Sequence, residues 1–168
     1  MKMFLIVLMT VALMAGLVNA EKPIWHKGDP ILTRGALDCT GAITLANGVA
    51  VSGDNSTGSD VVDQYTPYGY GHAFGPEVVY AIELPAGCHE VIGEISNMTA
   101  DLDIYLLQSC DETDSYIYGD TSFTALISGG DSGTTLYVVV DGYDEGDVST
   151  FDLVVSWAPG SNPPCEAA

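Results

Sequence analysis

From about residue 78 onward, apolar and polar positions alternate in short runs, and clusters of Gly, Asp and Ser separate the runs. Leu102, Ile104 and Leu106 share one face of such a run, as do Leu136, Val138 and Val140, and then Phe151, Leu153 and Val155. A period of two is the mark of a strand with one face buried. Strands are therefore predicted near 77–84, 89–96, 102–108, 122–128, 135–141 and 150–157, and no stretch carries an amphipathic helical repeat. Upstream, 42–45 and 49–52 flank the turn dipeptide Asn47-Gly48, which predicts a first hairpin. About eight mostly antiparallel strands in one domain predict an all-β fold, a β-sandwich or jelly roll. Residues 53–75 are rich in Gly, Asp and Tyr and show no period. Loops of that length are usually functional or mobile.

The ends read differently. Lys2, the apolar run 4–18 and Val18-Asn19-Ala20 have the form of a secretory signal peptide cleaved after Ala20. The run is short for a spanning helix, and no basic stop-transfer cluster follows it. The expected organisation is a signal peptide over 1–20, an N-terminal arm over 21–38, a sandwich domain over 39–158 and a Pro-rich tail over 159–168. The mature protein is expected to be secreted or held at the cell surface.

Charge narrows the partners. The chain has 4 Lys and Arg against 23 Asp and Glu, so without Lys2 the mature balance is 3 − 23 = −20. Lys22, Lys27 and Arg34 all lie in the arm, and from Gly35 onward only histidine could carry positive charge. Such a field disfavours nucleic acid and anionic membrane surfaces as partners. Cations and neutral or basic polymers fit it.

The four cysteines, Cys39, Cys88, Cys110 and Cys165, fall in the exported part, and none has CxxC spacing. Two disulfides are expected, and three connectivities are possible. A hairpin centred on Met98-Thr99-Ala100 would set Cys88 opposite Cys110, favouring Cys88–Cys110 with Cys39–Cys165. The same register sets Ile95 against Asp103, which would need a bulge.

Carboxylates gather where strands end. Asp101 and Asp103, then Asp141, Asp144, Glu145 and Asp147, are candidate calcium ligands, with Asp54, Asp60 and Asp63 of the long loop in second rank. Calcium takes six to eight oxygens, several of them carboxylate, from flexible loops. Asp101 and Asp103, two apart on a strand, would share a face opposite the Leu102, Ile104 and Leu106 set. Solvated turn carboxylates that discourage strand aggregation are the plain alternative. Tyr65, Tyr68, Tyr70 and Phe74 in the same loop are candidate ligand-binding rings, suited to stacking on sugar or protein. Trp25 and Trp157 read as packing residues. His26, His72 and His89 are scattered, and neither HExxH nor GxSxG occurs, so no catalytic residues are assigned.

The order of segments resembles the bacterial pre-peptidase C-terminal domain family, secreted β-sandwich modules usually appended to exported enzymes. The matching pieces run from Gly53-Asp54-Asn55-Ser56-Thr57-Gly58-Ser59-Asp60 to Gly75-Pro76-Glu77-Val78-Val79-Tyr80-Ala81-Ile82-Glu83-Leu84. They continue through Asp101-Leu102-Asp103-Ile104-Tyr105-Leu106-Leu107 and Leu136-Tyr137-Val138-Val139-Val140-Asp141-Gly142 to Phe151-Asp152-Leu153-Val154-Val155. The resemblance implies a jelly-roll sandwich without catalytic machinery, and some relatives bind calcium or insoluble polymers such as collagen or polysaccharide. This chain has Glu77 where the family commonly has Asp, and no enzyme domain accompanies the matching segments. The function expected is a secreted, non-catalytic, calcium-assisted module for an extracellular polysaccharide or protein polymer. Its rivals are a metal-independent envelope interaction domain and a small secreted hydrolase using Asp101 and Asp103 with a loop histidine.

Overall fold

The structure, a computed structural model, describes residues 35–66, 73–128, 130 and 133–160. Nine strands are placed among them: β1 (Ile43–Thr44), β2 (Val51–Asp54), β3 (Val78–Leu84), β4 (Cys88–Ser96), β5 (Leu102–Leu107), β6 (Ser115–Gly119), β7 (Ser122–Ser128), β8 (Thr134–Gly142) and β9 (Thr150–Pro159). They form a five-stranded sheet in the order β1-β3-β8-β5-β6 and a four-stranded sheet in the order β2-β9-β4-β7. All pairings are antiparallel except β1 with β3. The fold is the β-sandwich that the alternating pattern predicts.

The apolar sets read from the sequence meet between the sheets. Leu102, Ile104 and Leu106 of β5, and Leu136, Val138 and Val140 of β8, pack against Val91, Ile95, Phe123, Phe151, Leu153 and Val155 of the opposite sheet. Burial of these side chains is the main source of stability, at about 25 cal/mol per Å² of apolar surface.

Two sequence expectations fail at the same place. Residues 88–110 do not form a hairpin. Asn97 sits at φ 59, the left-handed region that Asn tolerates, and its Nδ2 donates to Asp152 Oδ2 at 2.7 Å. The turn carries the chain from β4, which pairs with β7 and β9, across to β5 in the other sheet. Cys88 and Cys110 therefore lie in different layers, and the favoured Cys88–Cys110 bridge does not form. Cys110 instead joins Cys39, with Cα atoms 6.0 Å apart. Cys88 is also disulfide-bonded, and Cys165 lies outside the described residues. The Asn47-Gly48 turn is present, but it too links two layers: β1 pairs with β3 and β2 with β9. β6, with its run of Tyr and Ile, was not read from the sequence as a strand.

The long loop and the arm's end have a shared task that the sequence did not reveal. Residues 35–39, 61–65 and 73–74 lie across the outer face of the five-stranded sheet as a strap. Leu37, Val62, Tyr65 and Ala73 bury themselves there against Tyr105, Leu107 and Val139. Gly35 N–H donates to Val61 O at 3.0 Å. At the other end β9 extends to Pro159, and Gly160 N–H donates to Cys88 O. Where the strap returns into β3, Gly75 lies against the Gly142 backbone, and a Cβ on Gly75 would stand 2.6 Å from Gly142 Cα. Only glycine permits that approach.

Candidate functional site

Polar chemistry concentrates under the strap. β5 is buried along its whole length, because its second face is roofed by the strap instead of being solvated. Asp103, opposite the core-facing leucines and isoleucine, is thus only 4% exposed. Its partner in register on β8 is Asp141, 0% exposed. Like charges directly opposite on adjacent strands destabilise a sheet, and burial adds to the cost.

Two tyrosines answer that cost. The Tyr65 hydroxyl, from the strap, donates to Asp141 Oδ2 at 2.8 Å, and the Tyr105 hydroxyl donates to Asp103 Oδ2 at 3.2 Å. The two rings lie against each other with centroids 4.0 Å apart, and Tyr118 stacks on Tyr105 at 6.1 Å. Asp141 Oδ1 has no hydrogen-bond partner among the described residues. Glu77, 1% exposed at the entry to β3, is a third buried carboxyl. It accepts from Ser59 Oγ at 2.7 Å and from the Val61 N–H at 3.3 Å, tying the strap to the sheet.

Burial dominates the proton affinities of this layer. It pushes Asp103 up to about 7, against the opposing Tyr105 hydroxyl, with Asp120 and Asp101 raising it further. It pushes Asp141 well above the usual carboxyl range, opposed by Tyr65 and reinforced by Glu77, Asp103 and Asp60. Glu77 is raised by the same cause, with Ser59 and Val61 opposing. Both tyrosine hydroxyls are raised as well, first by burial and then by the neighbouring carboxylates, so they remain donors.

The candidate metal ligands are not brought together as expected. Asp101 precedes β5 and is exposed, whereas Asp103 is inside, so the two do not present a common solvent face. The reason is the strap, which turns a face expected to be wet into an interior. Asp103 and Asp141 each spend an oxygen on a tyrosine hydroxyl. Asp144 and Glu145 are exposed in the β8–β9 turn, and Asp147 closes that turn by accepting from Asp144 N–H at 2.9 Å. Asp54 caps a short 3-10 helix, Asn55–Thr57, by accepting from Ser56 N–H at 2.9 Å; Asp60 is exposed and Asp63 half-buried. Among the described residues no group of three or more His, Cys, Asp and Glu is placed to hold a metal ion.

The aromatic platform is also corrected in part. Tyr65 is 2% exposed and belongs to the strap's packing, not to an open binding surface. Phe74 is half-buried. Tyr68 and Tyr70 lie outside the described residues, as do Trp25, His26 and His72. Trp157 packs against the core, as its position on the last strand predicts. His89 is buried on β4 of the four-stranded sheet, whereas Asp103 lies on the outer face of the other sheet.

Sequence reasoning missed Asn55, the other buried polar hub. It is 0% exposed, and its Nδ2 donates to Asp147 O at 2.8 Å and to Pro76 O at 3.0 Å while Oδ1 accepts from Ser149 N–H at 2.8 Å. In the sequence it stands only as one residue of the segment Gly53–Asp60 that carries the family resemblance. Its place inside a Gly- and Ser-rich turn was the available signal.

The opposite outer face is bare among the described residues. On the four-stranded sheet Glu90, Glu94 and Thr124 are exposed, and Ile92, Leu126, Val154 and Ser156 are half-buried. Among the described residues no helix is long and apolar enough to cross a membrane.

No family model matches the chain, and none of the curated proteins matches it. Among solved structures it is similar to the pre-peptidase C-terminal domain of a collagenase from Bacillus anthracis. That likeness has 14% identity and a TM-score of 0.43, over 68% of this chain and 94% of that one. It is also similar to a periplasmic inhibitor of g-type lysozyme from Aeromonas hydrophila, at 12% identity and TM-score 0.46, over 70% of this chain and 96% of that one.

Proposed function

We propose that this is an exported, non-catalytic binding domain whose contact surface for an extracellular polysaccharide or protein polymer is the bare face of the four-stranded sheet. One observation carries the reading: among the described residues, one outer sheet face is roofed completely enough to bury carboxyl groups and the other is left uncovered. The strap has consumed Tyr65, so the open loop ring that first suggested a platform is spent on packing. The remaining broad surface, with Ile92, Leu126 and Val154 among Glu90, Glu94 and Thr124, mixes apolar and hydrogen-bonding groups in the proportions that contact surfaces use. The disulfides suit an oxidising compartment, and the signal peptide expected over 1–20 supports export. The reading invokes no metal; Asp141 and Asp103 accept from Tyr65 and Tyr105.

The test is a binding array of insoluble polysaccharides and matrix proteins, run with calcium and with chelator. Ile92→Lys and Thr124→Lys sit at neighbouring register positions on β4 and β7. They should weaken binding to the preferred polymer at least tenfold, about 1.4 kcal/mol, without lowering the melting temperature. Undiminished binding in both would remove the face from consideration. Loss of binding with chelator alone would restore a cation to the mechanism.

A further inference from the structure

We propose that the strap across the five-stranded sheet is a proton-dependent clamp, closed while the carboxyl groups beneath it are protonated and loosened when they ionise. The geometry supplies each part. Asp103 and Asp141 face each other in register on β5 and β8, and the strap's Tyr65 reaches the pair through its hydroxyl on Asp141 and its ring against Tyr105, whose own hydroxyl donates to Asp103. Glu77 holds the strap's other side through Ser59 and Val61.

Among the described residues, the charged and titratable groups named around this layer are acidic or tyrosines, and the strap adds Asp63, half-buried between Val62 and Tyr65. Toward Asp103 these are Asp101 and Tyr105 from its own strand, Asp141 from β8, and Asp120 beyond β6. Toward Asp141 they are Tyr65 and Asp60 from the strap, Glu77 at β3 and Asp103. Tyr118 adds a neutral ring beside Tyr105. No Lys or Arg occurs from residue 35 onward. Among the described residues the Tyr65 and Tyr105 hydroxyls favour the ionised forms while burial and the neighbouring carboxyl groups oppose them, and separation with hydration relieves that opposition. Hydration requires the roof to lift.

The strap is built to lift without detaching. The Cys39–Cys110 disulfide fixes its beginning to the loop after β5, and the Leu37 N–H donates to Glu112 Oε2 at 3.2 Å near the same point. Residues 59–66 have no disulfide of their own and are held by the Glu77 and Tyr65 side chains and by four backbone bonds: Glu77 N–H to Ser59 O, Gly35 N–H to Val61 O, Thr66 N–H to Glu112 O and Ser115 N–H to Thr66 O. The direction follows from linkage. Asp103 binds its proton more tightly folded than unfolded, so the closed state is favoured below the ordinary carboxyl range and loses that advantage as pH rises through about 7.

Amide exchange of the disulfide-intact protein tests the clamp. After correction for intrinsic rates, the Gly35, Thr66 and Ser115 amides should exchange faster between pH 5 and pH 8, by up to about tenfold per pH unit for one titrating group. The Ile95 amide, bonded to Thr121 O at the β4–β7 end, serves as the reference and should not change. In Asp103→Asn and Asp141→Asn, which keep an acceptor for each tyrosine but cannot ionise, the acceleration should shrink. Carboxyl carbon shifts of the unmutated protein give a second measurement, and at least one buried aspartate should titrate with the same midpoint as the strap amides. A strap whose corrected exchange is flat across this range would overturn the proposal. So would an acceleration that survives in the double Asn variant, or carboxyl and amide midpoints that disagree.

Discussion

Replacing Tyr65 by alanine removes a ring that is 2% exposed, lies 4.0 Å from Tyr105 and gives Asp141 Oδ2 its hydroxyl donor. Deleting a buried aromatic ring costs about 3–5 kcal/mol, of which the ring pair accounts for about 0.5–1.5. Leaving Asp141 without its donor adds a penalty of about 1–3 kcal/mol. Set against a total stability of roughly 5–15 kcal/mol, Tyr65→Ala should lower the melting temperature by on the order of 10 °C or more. Tyr65→Phe separates the contributions, since it keeps the ring and removes only the hydroxyl; it should cost about 1–3 kcal/mol. Replacing both partners, as in Tyr65→Phe with Asp141→Leu, should cost less than the sum of the single changes, because no buried acceptor is left unmet. Urea unfolding with the disulfides intact, read as the midpoint and slope, gives all four corners of the cycle. If Tyr65→Ala leaves the unfolding midpoint unchanged while abolishing polymer binding, the packing role is wrong and the ring belongs to a binding surface.

Four further outcomes follow from the same structure. Cys39→Ala with Cys110→Ala opens a loop of 71 residues, and in the chain-entropy model it should cost about 4 kcal/mol, measured by chemical unfolding against the parent. Asn55→Ala strands two carbonyls and the Ser149 amide, so it should destabilise by at least about 2 kcal/mol, whereas Asn97→Ala, on an exposed turn, should cost less. Thermal stability at constant salt should fall as pH rises from near 4 to about 7, because Asp103 has a raised folded value. It should also fall below about pH 4, where the exposed carboxylates of Asp38, Asp54, Asp111 and Asp152, held low by hydrogen bonds, become protonated; a maximum near neutrality would contradict the assignment. Gly75→Ala should destabilise the strap's return into β3, because its Cβ would press on the Gly142 backbone; an unchanged melting curve would mean that this segment can shift at no cost.

Local sequence determined most of the strands, β6 excepted, and which of their residues face the core. Alternation at Leu102, Ile104 and Leu106, at Leu136, Val138 and Val140, and at Phe151, Leu153 and Val155 sufficed, because a strand's side-chain period is fixed by its backbone. The acidic balance and the even number of cysteines were equally legible. Pairing was not. A turn such as Met98-Thr99-Ala100 has the same local composition whether its strands join one sheet or cross between two. The left-handed Asn97, held by Asp152 from 55 residues away, stands where the chain crosses between the sheets, and Cys110 beyond the crossing joins Cys39. The site was hidden for a related reason. Asp103 and Asp141 sit at the polar positions of ordinary half-buried strands, and nothing near them in the chain signals a roof. That roof comes from residues 35–39, 61–65 and 73–74, whose apolar side chains are too few and too irregularly spaced to show a period, yet bury Leu37, Val62, Tyr65 and Ala73 once the sheet is formed. A carboxylate's environment is set by what lies within a few ångströms of it in space, and that is a property of the folded chain alone.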